Sequence, residues 1–306
     1  MSAKKPTTIV EFSTQLSSAV DSASRSIVSI HARRRIPSSG VVWRKGIIVS
    51  ASHTVRRDDE IPITLPNGDS TTARVAGRDP ATDLIVLRVE DGATNDAVKP
   101  SAEEESAKVG AIVLAAGRPG RNVTASFGII SAIAEGWRSP YGRRIERLLR
   151  LNLAIYDGFS GGPLVDPTGA VLGINTSTVA RGAPVSIPAS VVDRVVDELL
   201  ERGHIRRGYV GVALHPVDLG TTLSTRLGQP TGLVILSIAA DSPAERAGLL
   251  VGDVVLKANG RVLGNHSDFL DALWDVNEGE ALTLDLVRGG ERRQVAVTPS
   301  DREAAA

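Results

Sequence analysis

Gly158-Phe159-Ser160-Gly161-Gly162-Pro163-Leu164, continued by Val165-Asp166-Pro167-Thr168-Gly169-Ala170-Val171-Leu172-Gly173, is the stretch that decides how this chain reads. A serine hydroxyl is a weak nucleophile until a base takes its proton. It also needs backbone N–H groups aimed at the oxyanion that forms on attack. Glycine on either side permits the tight turn that presents such groups, and the N–H groups of Gly158 and Ser160 are the candidates. The same letters satisfy G-x-S-x-G, the strand-turn-helix elbow. An elbow needs a helix directly after the serine, with the acid and then the histidine further on. Here a strand follows, then a turn at 166–169, then another strand. The elbow is therefore rejected, and the serine sits among strands. A plain glycine-rich turn stays open until partners are found.

The chain has five histidines. His31 leads into Ala-Arg-Arg-Arg and reads as an exposed strand end. His204 lies just past a helix end, where a cation suits the helix dipole. His215 and His266 belong to a later module. His53 closes Gly-Ile-Ile-Val-Ser-Ala-Ser-His, where an apolar strand ends in a short turn of small residues, a good place to present an imidazole. The acid that orients it is read as Asp83, in Asp-Pro-Ala-Thr-Asp-Leu-Ile-Val-Leu, just ahead of a strongly apolar strand. Asp79, its competitor, is explained as the turn former before Pro80. The order His53, Asp83, Ser160 is that of chymotrypsin, not of subtilisin or the α/β-hydrolases.

Outward from these motifs, short β-branched runs alternate with turn signals such as Pro-Asn-Gly-Asp and Gly-Arg-Pro-Gly, the pattern of an all-β barrel or sandwich. Helical spacing appears over 8–24 and again over 188–203, where Gly203 is a natural C-cap. From 209 the strand pattern restarts, broken by two helical pieces with Ser242 and Ser267 as expected N-caps. The expected organisation is an N-terminal segment 1–20, a protease domain 21–203, a linker 204–208, a small α/β module 209–300 and a frayed tail 301–306. The arginine-rich stretch 138–150 reads as an exposed, solvated loop, and the arginines after His31 as surface.

The 306 residues carry no cysteine, 35 basic and 35 acidic side chains. Disulfides, thiol catalysis and cysteine-based metal sites are excluded, and the balanced charge gives no sign of a nucleic-acid partner. Aromatic residues make up only 3%, so the core must be aliphatic. No secretory apolar region is visible and no apolar run reaches membrane-spanning length. As written, a cytoplasmic location is expected, or a periplasmic one if the N-terminus is truncated.

Three motifs, in order, resemble those of the HtrA/DegP family of trypsin-like proteases: SSGVVWRKGIIVSASHTV around His53, DPATDLIVLRV around Asp83 and GFSGGPLVDPTGAVLGINT around Ser160. The run GAPVSIPASVVDRVVDELLERGHIRRGYVGV and the later DSPAERAGLLVGDVVLKANGRVL resemble the family's passage into a PDZ domain and that domain's signature. The departures are Phe159 where Asn is usual, Tyr156-Asp157 for Asn-Pro, and Ser-Ala-Ser before His53 for Thr-Asn-Ala. The resemblance implies a chymotrypsin-like double β-barrel followed by a PDZ domain. It implies a serine endopeptidase of protein quality control that cleaves unfolded polypeptide without metal or cofactor. The S1 pocket would be floored at Ala154 and walled by Ala183, Pro184 and Val185, favouring small or medium aliphatic P1 residues. Tyr209, Val210, Gly211 and Val212 would form the carboxylate loop of the PDZ domain, with Leu270 and Leu273, or the neighbouring Phe269 and Trp274, lining the groove from its helix unless they belong to the core. The binding of peptide C-termini there would regulate the protease, and a homotrimer would form through the N-terminal region. The alternative is a catalytically inactive PDZ peptide-binding or chaperone-like protein, its oxyanion loop distorted by Phe159.

Overall fold

The computed structural model describes residues 8–33, 35–89, 94, 97–98, 107–138, 144–180, 183–205 and 208–301. The chain divides into two units, Met1–Ile205 and Arg206–Ala306.

In the first unit, helix α1 (Ile9–Ser24) precedes two closed barrels. Strands β1 (Ile27–Ile30), β2 (Ser38–Arg44), β3 (Ile47–Ala51), β4 (Ile61–Thr64), β5 (Ser70–Asp79) and β6 (Leu84–Val89) form barrel 1 in the order β1-β2-β3-β6-β5-β4. Strands β7 (Ile112–Gly117), β8 (Thr124–Arg138), β9 (Arg144–Asn152), β10 (Pro163–Val165), β11 (Val171–Thr176) and β12 (Val185–Pro188) form barrel 2 in the order β10-β11-β12-β9-β8-β7. Every pairing is antiparallel.

The period-2 alternation of strands explains the near-continuous apolar runs. On β6, Ile85 and Leu87 fill barrel 1, whereas Leu84 and Val86 join a second cluster outside it. That outer cluster unites both barrels with α1 and with α2 (Ala189–Arg202). Val191, Val192, Val195, Val196 and Leu199 of α2 are buried in it, each contributing about 1.5–3 kcal/mol. Gly203, at φ +78°, ends the helix and donates its N–H to the Leu199 carbonyl at 2.9 Å.

Ala19 and Ala23 of α1 are buried in the same cluster, so the helix runs across the expected boundary at residue 20 and belongs with the barrels. Ile205 is also buried there, which moves the start of the expected 204–208 linker beyond it; residues 206–207 lie outside the described residues. The supposed loop at 138–150 is strand from Arg144 on, with Ile145, Leu148 and Leu149 buried. Two of its arginines have partners: Arg147 Nη2 donates to the Ala107 carbonyl at 2.9 Å, and the Arg150 guanidinium lies 5.7 Å from the Trp137 ring centroid. Residues 139–143 lie outside the described residues.

The second unit contains β13 (Gly208–Tyr209), β14 (Val212–Asp218), α3 (Gly220–Leu227), β15 (Thr231–Ile238), α4 (Pro243–Arg246) and β16 (Val254–Ala258). They are followed by β17 (Arg261–Val262), α5 (His266–Trp274), β18 (Leu282–Arg288), β19 (Glu291–Val297) and β20 (Ser300–Asp301). The main sheet runs β14-β15-β16-β18-β19, which leaves β14 at an edge. β13 pairs with β20, Gly208 opposite Asp301 and Tyr209 opposite Ser300. Gly208 is therefore strand rather than linker, and Asp301 is held rather than frayed. Ser242 caps α4 as expected. The cap of α5 is Asn265, not Ser267: Asn265 accepts from the Asp268 N–H and Asp268 accepts in return from the Asn265 N–H. A reciprocal capping box satisfies two helix-end donors at once, and Asn265 starts the helix ahead of the expected cap.

Candidate active site and peptide-binding edge

The pairing of β3 with β6 sets Ala51 opposite Leu84. This register brings the residues just past β3 and just before β6 to the same end of barrel 1. His53 lies on a one-turn 3-10 helix (Ser52–Thr54), and the Ser52 N–H donates to the Asp83 carbonyl at 2.7 Å. Asp83 sits at φ +59°, a conformation that Asp tolerates better than most residues. Before it, Asp79 accepts from the Ala81 N–H at 3.0 Å and the Thr82 hydroxyl at 2.7 Å, the turn-forming use the sequence suggests.

Asp83 is 6% exposed. Its Oδ1 accepts from the His53 backbone N–H at 2.8 Å, and its Oδ2 meets His53 Nδ1 at 2.6 Å. Two hydroxyls from barrel 2 reach the same Oδ2, Thr176 Oγ1 at 2.5 Å and Thr178 Oγ1 at 2.7 Å. Burial is the largest influence on this carboxyl and pushes its pKa up. The His53 hydrogen bond and charge, with the two threonine hydroxyls, outweigh it and hold the carboxyl below its usual value. An ionised carboxylate only accepts, so Nδ1 carries the imidazole proton and Nε2 is left as the acceptor. Sequence reasoning missed Thr176 and Thr178, since nothing local marks them out. They reach Asp83 only because β11 of one barrel ends beside the acid of the other.

The Ser160 turn is pinned from several sides. The Phe159 N–H donates to the Tyr156 carbonyl at 3.0 Å, the Gly161 N–H to Asn175 at 2.9 Å and the Gly162 N–H to Phe159 at 2.9 Å. By contrast, the N–H groups of Gly158 and Ser160 donate to no protein group among the described residues. Gly158 has φ +89°, and a Cβ there would lie 2.5 Å from Pro119 Cβ. Gly161 has φ +87°, and its Cβ would collide with the Ser39 carbonyl and Ser50 Oγ. The Ser160 turn is thus seated against β2 and β3, the strand that leads to His53. Ser160 Oγ makes no hydrogen bond among the described residues, to His53 or to any other group. Catalytic contacts in unliganded proteases are often long and tighten only with substrate. Phe159 is 1% exposed, lies in the barrel 2 interior and meets the Tyr156 ring edge-to-face at 5.4 Å.

Of the expected pocket residues, Ala154 is exposed and its carbonyl accepts from Ser126 Oγ at 2.5 Å. Ala183 and Pro184 are half-buried, and the Pro184 carbonyl accepts from the Leu151 N–H at 3.0 Å. Val185 is fully buried in the cluster shared by the barrels and α2, so its side chain belongs to the core rather than to a pocket wall. Among the other histidines, His31 Nε2 lies 2.8 Å from Thr64 Oγ1 and His204 Nδ1 lies 3.1 Å from the Arg202 carbonyl.

In the second unit, edge strand β14 packs with α5. Ahead of it, the carbonyls of Val210 and Gly211 accept from the N–H groups of Ala244 and Ala239, both at 2.9 Å. The N–H groups of Val210 and Gly211 have no acceptor among the described residues. Gly211, at φ +85°, is crowded by the Ser242 side chain. Tyr209 and Val212 are half-buried, as is Leu270 on α5. Leu273 is buried in the module's core beside Gly208, so of the two leucines expected at the groove only Leu270 retains an open face.

The first unit is a trypsin-like peptidase domain and the second a PDZ domain: those family models match residues 38–174 and 208–298. A probable periplasmic serine endoprotease DegP-like of Halomonas elongata is 33% identical over 279 residues, covering 88% of this chain and 57% of its own length. A protein of the same description from Brucella suis is 30% identical over 287 residues, covering 89% and 55%. The chain therefore spans about half the length of the curated relatives it matches. Among solved structures, the serine endoprotease from Yersinia pestis superposes with a TM-score of 0.75 at 27% identity, over 97% of this chain and 99% of that one. An HtrA-type protease, AlgW with tripeptide, does so with a TM-score of 0.72 at 28% identity, over 94% and 97%. The chain is HtrA/DegP-like, a trypsin-like peptidase domain with one PDZ domain behind it.

Proposed function

We propose that this chain is a serine endopeptidase that cleaves unfolded or exposed polypeptide, with Ser160 as nucleophile, His53 as base and Asp83 as the group that orients the imidazole. One observation carries the reading. The Asp83 carboxylate holds His53 Nδ1 while a glycine turn of the other barrel offers a hydroxyl and two N–H groups with no protein acceptor among the described residues. In the first step His53 Nε2 takes the Ser160 proton as Oγ adds to the scissile carbonyl. The N–H groups of Gly158 and Ser160 donate to the resulting oxyanion, and Asp83 stabilises the imidazolium. The imidazolium then protonates the leaving amine, and a water molecule repeats the sequence on the acyl-enzyme.

The PDZ unit supplies an edge strand and, at its head, two N–H groups with no acceptor among the described residues, the geometry by which a peptide C-terminus is captured as an added strand. The relatives named as periplasmic endoproteases favour the periplasmic alternative over the cytoplasmic expectation, which nothing else supports. No helix of the described residues is long and apolar enough to cross a membrane. The homotrimer and the quality-control role rest on the family resemblance.

The test is labelling by a fluorophosphonate probe together with hydrolysis of an unfolded protein, each with and without a peptide ending in a free carboxylate. Labelling confined to Ser160, lost in Ser160→Ala, is expected, with turnover of the variant down on the order of 10⁶-fold. A chain that neither labels nor hydrolyses under either condition, yet binds the peptide, is the inactive binding protein instead.

A further inference from the structure

Ser39 of barrel 1 is bonded to both residues of the proposed oxyanion hole. It lies on β2 and is completely buried. Its backbone N–H donates to the Ser160 carbonyl at 3.3 Å, and its hydroxyl donates to the Gly158 carbonyl at 2.6 Å. The same hydroxyl accepts from the Arg118 N–H at 2.7 Å, so its proton and an acceptor site are both committed.

A peptide group is planar, so fixing its carbonyl fixes the direction of its N–H. The Phe159–Ser160 peptide is held at its carbonyl by the Gly162 N–H, which aims the Ser160 N–H the opposite way. The Asp157–Gly158 peptide has no such hold: among the described residues its carbonyl accepts no hydrogen bond. Its N–H, the other oxyanion donor, is oriented only through the next peptide, Gly158–Phe159. That peptide is held at its N–H by Tyr156 and at its carbonyl by Ser39 Oγ. The intervening residue is glycine at φ +89°, whose backbone turns over at little steric cost. We propose that the Ser39 hydroxyl is a positioning residue that keeps the Gly158 N–H aimed into the oxyanion hole. The proposal rests on the hydrolytic reading above.

The experiment compares the whole chain with Ser39→Ala, and with Ser50→Ala as control. Ser50 is equally buried and its hydroxyl makes a bond of the same length to the Ser39 carbonyl, 2.6 Å, without touching Gly158. For Ser39→Ala, kcat on a short peptide should fall about 10- to 100-fold with KM nearly unchanged. That is somewhat less than the roughly 10²–10³-fold lost when an oxyanion donor is deleted outright. Affinity for a peptide aldehyde, whose hemiacetal oxygen occupies the hole, should fall in parallel, while affinity for the product peptide holds. Ser50→Ala should keep the wild-type ratio of aldehyde to product affinity. An unchanged kcat in Ser39→Ala overturns the proposal. So does a loss shared equally by aldehyde and product binding, which marks a merely structural residue. If the alanine variant does not fold, Ser39→Cys, with a weaker donor, carries the same comparison under the same criteria. An inactive wild type defeats the hydrolytic reading itself and shows before any variant is compared.

Discussion

Asp83→Asn changes one atom of the proposed triad and has a calculable consequence. Three donors converge on Asp83 Oδ2, namely His53 Nδ1, Thr176 Oγ1 and Thr178 Oγ1, and one on Oδ1, the His53 backbone N–H. An amide has one oxygen and one NH₂. If the oxygen takes the Oδ2 place, the NH₂ faces the His53 N–H, donor against donor. If the amide flips, the threonine hydroxyls can turn and accept, but His53 Nδ1 must then accept as well. The ring proton moves to Nε2, the atom that has to receive the Ser160 proton. The flipped arrangement removes the donor-against-donor contact with the His53 N–H and should prevail. The same substitution in the trypsin triad leaves the geometry intact but the imidazole in the wrong tautomer, and it lowers kcat about 10⁴-fold. That loss corresponds to about 5.5 kcal/mol in the barrier. We expect a loss of that order here, with KM changed little and thermal unfolding shifted by only a few degrees, because shape and most hydrogen bonds survive. The assay is steady-state hydrolysis of a short peptide at neutral pH, with fluorophosphonate labelling rates in parallel. Activity within tenfold of wild type in a folded Asp83→Asn protein would refute the assignment of Asp83 as the group that sets the imidazole tautomer.

Thr178 is exposed, yet its hydroxyl donates to a nearly buried carboxylate; Thr178→Val should lower kcat several-fold at constant KM and Thr178→Ser should restore it, while equal rates in both show the hydroxyl to be idle. In the PDZ unit, Arg288 grips Asp253 with two hydrogen bonds of 2.7 Å, and Asp253 is 1% exposed. Arg288 keeps access to water, so Asp253→Ala should cost about 2 kcal/mol, less than the loss of a fully buried pair, as read from urea unfolding of the PDZ transition. Burial raises the pKa of Asp253 and is the largest influence on it, but Arg288 and the Leu250 N–H outweigh it and hold the carboxyl below its usual value; the same net direction holds for Asp83. A carboxyl so held stabilises the fold above its unfolded pKa and loses that contribution as pH falls through the lowered folded value. The urea midpoint should therefore be steady near neutrality and drop in acid, with the drop in the PDZ transition reduced in Asp253→Asn. Ala154, Ala183 and Pro184 offer no charge to a cationic P1 group, whose unpaired burial is costly; a peptide-library digest should show small or medium aliphatic P1 residues, and cleavage confined to Lys or Arg contradicts the pocket assignment.

The parts of this molecule legible in the sequence are those whose signal is local. The Ser160 turn announces itself through glycines, two of which the backbone needs at positive φ. Helix α2 announces itself through valines at helical spacing and ends where Gly203 says it should. Other features are obscured by side chains that serve two purposes at once. The arginines of β9 make it look like a solvated loop, because Arg147 and Arg150 interrupt the apolar residues Ile145, Leu148 and Leu149, whose burial on both faces of the strand appears only in the fold. Helix α3 escapes notice because GTTLSTRL is rich in threonine, a poor helix former. Phe269, Leu270 and Leu273 lie on one short helix, and only packing shows that Phe269 and Leu273 belong to the core while Leu270 stays partly open. The roles of Thr176, Thr178 and Ser39 leave no local trace at all. Their partners lie 93, 95 and 119 positions away, and only the meeting of two closed barrels relates them.

That meeting is reciprocal. Barrel 1 carries Asp83, but hydroxyls of barrel 2 complete its shell; barrel 2 carries the Ser160 turn, but Ser39 of barrel 1 holds its carbonyls. Arg118, just past β7, adds a third tie. It is 8% exposed, and its side chain donates to the carbonyls of Ile27 at 2.7 Å, Ser24 at 3.0 Å and Arg121 at 2.8 Å. Burial lowers its pKa, and three carbonyl acceptors take the place of water. Each barrel has an apolar interior of its own, so either could keep its strands while the seam between them loosened. The proposed catalytic groups could not, because every one of them is oriented by a hydrogen bond that crosses the seam or by a residue that makes one. Hydrolysis is therefore a more sensitive report of barrel-to-barrel docking than secondary structure is. A perturbation of the seam, at Arg118 or Ser39, should abolish turnover at denaturant concentrations where the strands are still intact.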